Sequence, residues 1–233
     1  MLLLFIIYIM PNTNDIFVGI DYSYTSPGIT IFHDGKYFCY ALWHNKVMPN
    51  KSNDFNVHDQ FFIHLDFYDQ EIKYQTEFER YIKLSEWSIK NIKSHIKPYQ
   101  HVYIAIEGYS MGSHAGMIFN IAENTAILKK SILDNISPNL KLFIAYPPTF
   151  IKKESTGKGN SKKPELAKAF FSKNKFYIHE ILKKSNPDSN PASDIIDSYW
   201  IISQLLNDVN SLKEKKIKNV NECKHFATIY YQP

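Results

Sequence analysis

Apolar residues fall along this chain in two rhythms, and their order lays out the elements. Ile16-Phe17-Val18-Gly19-Ile20 is a continuous apolar run, read as a buried strand over 16–23. Runs 28–32 and 36–43, rich in aromatic and β-branched residues, are separated by Asp34-Gly35, a pair that favours a two-residue hairpin. The chain is therefore expected to open with a three-stranded antiparallel meander. Residues 45–75 mix polar and aromatic positions without a period and take no assignment. Over 77–96, Phe78, Tyr81, Ile82, Ile89, Ile92 and Ile96 recur at helical spacing, and Lys97-Pro98 stops the helix. The run 102–106 predicts a fourth strand, 117–133 a second helix, and 141–146 a fifth strand ended by Pro147-Pro148. A lysine-rich linker then leads to a helix near 163–172. After the turn cluster 186–191, a last core helix spans 193–206, and 226–231 offers a late strand.

Composition bounds this picture. A chain of 233 residues, 44% apolar and 21% charged, suits one well-packed α/β domain, taken as 15–209 with a tail over 210–233. The net charge of +4 does not by itself argue for a nucleic-acid partner, so any such partner needs a local patch. Arg80 is the only arginine. Cys39 and Cys223 are too few for a structural zinc site or a disulfide framework, which points to a reducing compartment. His58 and His64 read as polar edge residues of an aromatic stretch. Residues 1–10 are apolar but fall short of the ~20 needed to span a bilayer, and no basic region or cleavage site accompanies them. Residues 1–14 are read as an extension in which Met10 is the true initiator, and the protein as soluble and cytoplasmic with no membrane partner.

The chemistry is carried by four acids. Asp21 ends the first predicted strand and Glu107 the fourth, while Asp194 and Asp197 stand three apart in the last helix. Carboxylates at the ends of buried strands are costly to keep charged unless something compensates them. A divalent metal does so, and oxygen-only ligands favour Mg²⁺ or Mn²⁺ over zinc. Residues three apart share a helix face, with Cβ atoms ~5–6 Å apart, which suits two metal ions ~3.5–4 Å apart. Two such ions would activate a water and stabilise the leaving 3′ oxygen in phosphodiester hydrolysis. Neither a side-chain nucleophile nor a small-molecule cofactor is signalled.

Three antiparallel strands, helix, strand, helix, strand, helix is the element order of the RNase H-like α/β fold. Its expected core is a mixed five-stranded sheet, three antiparallel strands then two parallel, flanked by helices. Within it the chain resembles the RuvC family of Holliday-junction resolvases. The resemblance rests on Gly19-Ile20-Asp21, Ala105-Ile106-Glu107, the lysine segment from Pro147 to Lys163 with its Gly157-Lys158-Gly159 turn, and Ala192-Ser193-Asp194-Ile195-Ile196-Asp197. It covers about 15 to 209. Ser23-Tyr24-Thr25-Ser26-Pro27-Gly28 and Glu107-Gly108-Tyr109 are similar to the branch found in phages and large DNA viruses. The resemblance implies a metal-dependent endonuclease that resolves four-way DNA junctions, with Asp21, Glu107, Asp194 and Asp197 as catalytic metal ligands.

Lys152, Lys153, Lys158, Lys162 and Lys163 are the candidate DNA contacts, since lysines position phosphates without reading bases. Ser110 stands where bacterial members carry an aromatic wedge, and Tyr109 and Met111 are the neighbouring candidates for contact with the junction. The resemblance also implies a homodimer, with an expected contact face of Met117, Ile121 and Leu128 on the second helix. Alternatives are a flap, branched-DNA or RNA–DNA hybrid nuclease of the same fold, or a binding module without catalysis.

Overall fold

The computed structural model describes residues 15–43, 54–67, 74, 76–109, 115–213 and 227–231. At its centre lies β1 (Asp15–Asp21), in which six of seven residues are buried. A strand covered on both faces has no solvent side to alternate with, which is why its sequence reads as one apolar run. β2 (Gly28–His33) and β3 (Lys36–Trp43) fold back antiparallel as the expected meander. Their turn takes positive φ at both central residues, 51° at Asp34 and 74° at Gly35, the geometry a tight hairpin requires.

On the other side of β1, β6 (His101–Glu107) and β7 (Leu140–Tyr146) run parallel to it. The crossovers are α1 (Glu77–Lys93) and α2 (Ala115–Ile136). α1 starts where Thr76 accepts a hydrogen bond from Glu79 N at 3.1 Å. α6 (Ala192–Lys213) closes the domain and runs two turns beyond the expected end.

The sheet and the segment after β7 depart from the sequence reading. The sheet has eight strands among the described residues, in the order β4-β5-β3-β2-β1-β6-β7-β8. β4 (Asp54–His58) and β5 (Phe61–Phe67) come from the stretch without an assignment. There Phe61, Ile63 and Leu65 are buried while Phe62, His64 and Asp66 line a half-exposed face, so aromatics on both sides obscured the alternation. β8 (Ala227–Tyr231) is the late strand expected over 226–231, and it joins the sheet antiparallel to β7. The expected linker after Pro147-Pro148 is instead a helix, α3 (Pro148–Thr156), followed by α4 (Lys163–Asn174) and the short α5 (Ile178–Ile181). Pro148 occupies the first turn of α3, where its missing N–H has no helical partner to lose, and Gly157 ends the helix at φ 84°.

The sheet divides two cores. Ile16, Val18 and Ile20 of β1 pack with Leu84 and Ile92 of α1 and Leu128 and Ile132 of α2. Phe17, together with Ala105, packs on the other face with Ile195, Tyr199 and Ile202 of α6. Leu128 is thus fully buried, and the expected contact face on α2 loses it to the core. No helix among the described residues is long and apolar enough to cross a membrane. Residues 1–14, including Met10, lie outside the described residues, as does Met111.

Candidate active site

The pleat of two strands and the docking of one helix determine where the four acids go. Phe17, Gly19 and Asp21 share one face of β1, the face that α6 covers. Ile20 pairs with Ile106 in the parallel β1–β6 register, so Asp21 and Glu107 follow side by side at the ends of the two strands. α6 crosses this face very closely. A Cβ on Gly19 would stand 2.5 Å from the Ser198 carbonyl oxygen and 2.6 Å from Ile202 N. One on Gly28 would stand 2.3 Å from the carbonyl oxygen of Asp194. Only glycine permits either approach, and the result is that Asp194 and Asp197 lie over Asp21 and Glu107.

The electrostatics couple Asp21 to the other three acids. Burial pushes the Asp21 carboxyl well above the usual carboxylate range, and Glu107, Asp197 and Asp194 push it further. Glu107 rises to about 7, first through burial and then through Asp197. Burial raises Asp194 and Asp197 to about 6 each. Two lysines oppose these shifts. Lys163 acts on all four acids, and Lys152 on Glu107 and Asp197. Asp194 is also held by Ser26, whose Oγ lies 2.6 Å from its Oδ2. Lys163 Nζ donates to Ser193 Oγ at 3.0 Å, which anchors it beside the start of α6.

Four acids against two lysines leave the site short of positive charge. Its donors are anionic oxygens only, a set that fits a hard divalent cation such as Mg²⁺ or Mn²⁺. Among the described residues, no three Asp, Glu, His or Cys side chains already stand close enough to cage an ion.

The other candidate residues separate. Lys153, Lys158 and Lys162 are exposed on the same α3–α4 segment as Lys152 and Lys163. Gly157 and Gly159, which could have served phosphate, are explained by the fold. Gly157 is the left-handed cap of α3, and a Cβ on Gly159 would lie 3.1 Å from Thr149 O. Tyr109 is 46% exposed, with Lys129 Nζ 5.0 Å from its ring centre. Sequence reasoning missed Ser26, Gly19 and Gly28 as parts of the site. A glycine inside or at the start of a strand signals close backbone approach, and that signal was available. Ser26 stood in the stretch Ser23 to Gly28 already singled out, but its role there was not visible because its partner is 168 residues away.

No family model matches the chain, and no curated protein matches it in sequence. Solved structures match it in shape. The yeast mitochondrial Holliday junction resolvase Ydc2 aligns with a TM-score of 0.51 at 16% identity, over 92% of this chain and 84% of that one. Thermus thermophilus RuvC in complex with Holliday junction substrate aligns with a TM-score of 0.46 at 12% identity, over 85% and 96%. What the chain shares with the yeast protein is the fold: a mixed sheet flanked by helices, RNase H-like in its order.

Proposed function

We propose that this protein is a metal-dependent endodeoxyribonuclease that resolves four-way DNA junctions. The observation that carries the reading is the meeting of Asp21, Glu107, Asp194 and Asp197, from three separated elements, as one group of half-buried to buried carboxylates in which Asp21 is repelled by the other three. Such a group is unfavourable for folding alone, so a role that needs concentrated negative charge is the economical explanation. The likeness in fold to a junction resolvase supports the same reading.

In this proposal the four carboxylates hold two divalent ions. When bound, those ions supply Lewis acidity to a water and to the departing 3′ oxygen. The chain's own residues do the rest. Ser26 keeps Asp194 in one orientation by its hydrogen bond. Lys152 and Lys163 face the acids from the α3–α4 segment, where they offset repulsion between carboxylates and an incoming phosphate. Lys153, Lys158 and Lys162 extend that positive edge outward and would track the backbone without reading sequence.

A single site cuts one strand, so paired cuts across a junction require two copies. For the homodimer, Leu128 is buried in the core and so is not offered as contact. Met117 and Ile121 line a cavity beside Asp21, whereas Phe119 on α2 is 72% exposed. Phe119 is the apolar residue of that helix we propose for contact with a partner subunit.

The test is direct. Labelled four-way junction, flap, linear duplex and RNA–DNA hybrid are incubated with the protein in Mg²⁺ or Mn²⁺, and the cuts are mapped. Symmetric paired nicks on the junction are expected. Absence of cleavage on every substrate would overturn the reading, and unpaired cuts confined to flaps or hybrids would replace it with another nuclease of this fold.

A further inference from the structure

Of the 27 lysines and arginines in the chain, Arg80 is the only arginine. The two side chains differ in shape. A guanidinium is planar and can lie flat on a ring while its edge donates to a carboxylate, whereas an ammonium is a hydrated point charge. Arg80 makes that double contact. Its guanidinium carbon lies 3.8 Å from the centre of the Tyr24 ring, and its Nη2 pairs with Glu77 one turn earlier on α1. The Tyr24 hydroxyl donates to the same Glu77 oxygen. Tyr24, Glu77 and Arg80 thus close a ring of three contacts between the loop after β1 and the first turn of α1.

What this ring of contacts holds is the loop that serves the acids. Tyr24 lies inside a turn closed by Ser26 N, which donates to Ser23 Oγ at 2.7 Å. The turn starts two residues after Asp21 and ends at Ser26, whose hydroxyl meets Asp194 Oδ2 at 2.6 Å and the Leu42 carbonyl at 3.0 Å. Fixing Tyr24 therefore fixes the path of the chain between two of the four carboxylates. A Glu–Arg pair three residues apart on a helix is by itself an ordinary surface pair of small effect. Here the arginine also covers an aromatic ring, and that ring belongs to the loop and not to the helix.

We infer that Arg80 is a positioning residue of the active site. By stacking on Tyr24 and pairing with Glu77, it sets the turn that presents Ser26 to Asp194, and with it the spacing of Asp21 and Asp194. The inference rests on the nuclease reading and deepens it, adding a residue outside both the acid group and the lysine segment on which metal binding depends. Arg80 acts through its shape, so lysine in its place keeps the charge and loses the function. The lysines of the α3–α4 segment differ in this respect, because tracking a phosphate backbone asks only for charge.

The experiment compares Arg80→Lys, Tyr24→Leu and the double variant in the full-length protein. Mn²⁺ binding without DNA is followed by electron paramagnetic resonance, and single-turnover cleavage of a four-way junction is measured across Mn²⁺ concentrations. Arg80→Lys should weaken Mn²⁺ binding, and raise the Mn²⁺ needed for half-maximal cleavage, by roughly three- to tenfold, the size of one cation–π contact. Tyr24→Leu should do the same, and the double variant should be no worse than either, because both remove one shared contact. Junction affinity and its salt dependence should not change in Arg80→Lys, since the charge is kept. Should Tyr24→Leu fail to fold, Tyr24→Phe keeps the ring, removes only the bond to Glu77, and should show a smaller loss of Mn²⁺ affinity. A lower melting temperature with unaltered Mn²⁺ affinity would reduce these contacts to ordinary packing and overturn the inference. A salt slope flattened by roughly 0.9 in Arg80→Gln, with Mn²⁺ affinity intact, would make Arg80 a DNA contact and overturn it too. In both cases the nuclease reading stands. If the unaltered protein neither binds Mn²⁺ nor cuts branched DNA, the nuclease reading falls and takes the inference with it.

Discussion

At the scale of single residues, charge is the controlling quantity. Asp21→Asn or Glu107→Gln removes one metal-ligand charge and keeps the shape of the side chain. Either should reduce junction cleavage by about a hundred- to a thousandfold, the range that electrostatic catalytic groups supply. Binding to the junction, measured by mobility shift, should stay within a few fold because the lysines of the α3–α4 segment are untouched. Full activity in either variant would remove the metal assignment. His95 gives a prediction about pH. Its Nε2 lies 2.6 Å from the Tyr40 hydroxyl and its Nδ1 2.8 Å from His33 Nε2. Burial, with His33 adding to it, lowers its pKa from 6.5 to about 4. The unfolded chain therefore takes up this proton first as pH falls. The stability His95 contributes is complete above about pH 6.5 and is lost progressively towards pH 4. After allowance for its partial exposure, the loss should be on the order of 1 kcal/mol. Thermal melts at pH 7 and pH 4.5 should show it, and His95→Gln should reduce the difference. An unchanged difference in that variant would assign the acid sensitivity elsewhere.

At the scale of elements, the docking of α6 on β1 and β2 and the α3–α4 segment make separate contributions. Gly28→Ala would place a methyl group 2.3 Å from the Asp194 carbonyl oxygen, and the clash is with backbone that cannot rotate away. The helix start must shift, at a cost of about 1–3 kcal/mol, and it carries Asp194 and Asp197 with it. Calorimetry should record the loss of stability, and cleavage should fall more than stability alone explains. Wild-type cleavage by Gly28→Ala would mean that α6 can dock elsewhere without harm. For the lysine segment, Ala at positions 152, 153, 158, 162 and 163 together should flatten the dependence of log K on log salt. Every duplex phosphate that is no longer neutralised changes that slope by roughly 0.9. An unaltered slope would show these lysines to be only solvated.

The order of elements was legible because β1, β6 and β7 are apolar runs and the hairpin turn carries Asp34-Gly35. The pairing of Asp21 with Glu107 followed from that order. β4 and β5 were not legible, because His64 and Asp66 alternate with Phe61 and Ile63 on a strand whose second face also carries Phe62. α3 was hidden by the expectation that two prolines end an element, although Pro148 also begins one. Ser26 belongs to a recognisable stretch, yet its role depends on a helix far along the chain.

At the scale of the whole molecule, symmetry is the open question that experiment can settle. Phe119→Asp would place a charge on the most exposed apolar residue of α2. It should convert the proposed dimer to monomers by light scattering and turn paired nicks into single ones, with the melting temperature nearly unchanged. A protein that is monomeric before the substitution, or dimeric after it, would exclude this face. The closeness of α6 to β1 has a further consequence during synthesis. Strand β1 leaves the ribosome early and α6 among the last elements, and Gly19 can meet Ser198 only when both exist. Contacts so distant in sequence form late. A nascent chain that has not yet reached Asp194 carries two of the four acids. On the proposed reading, the metal-binding group would be assembled only once α6 has been made and has docked on β1.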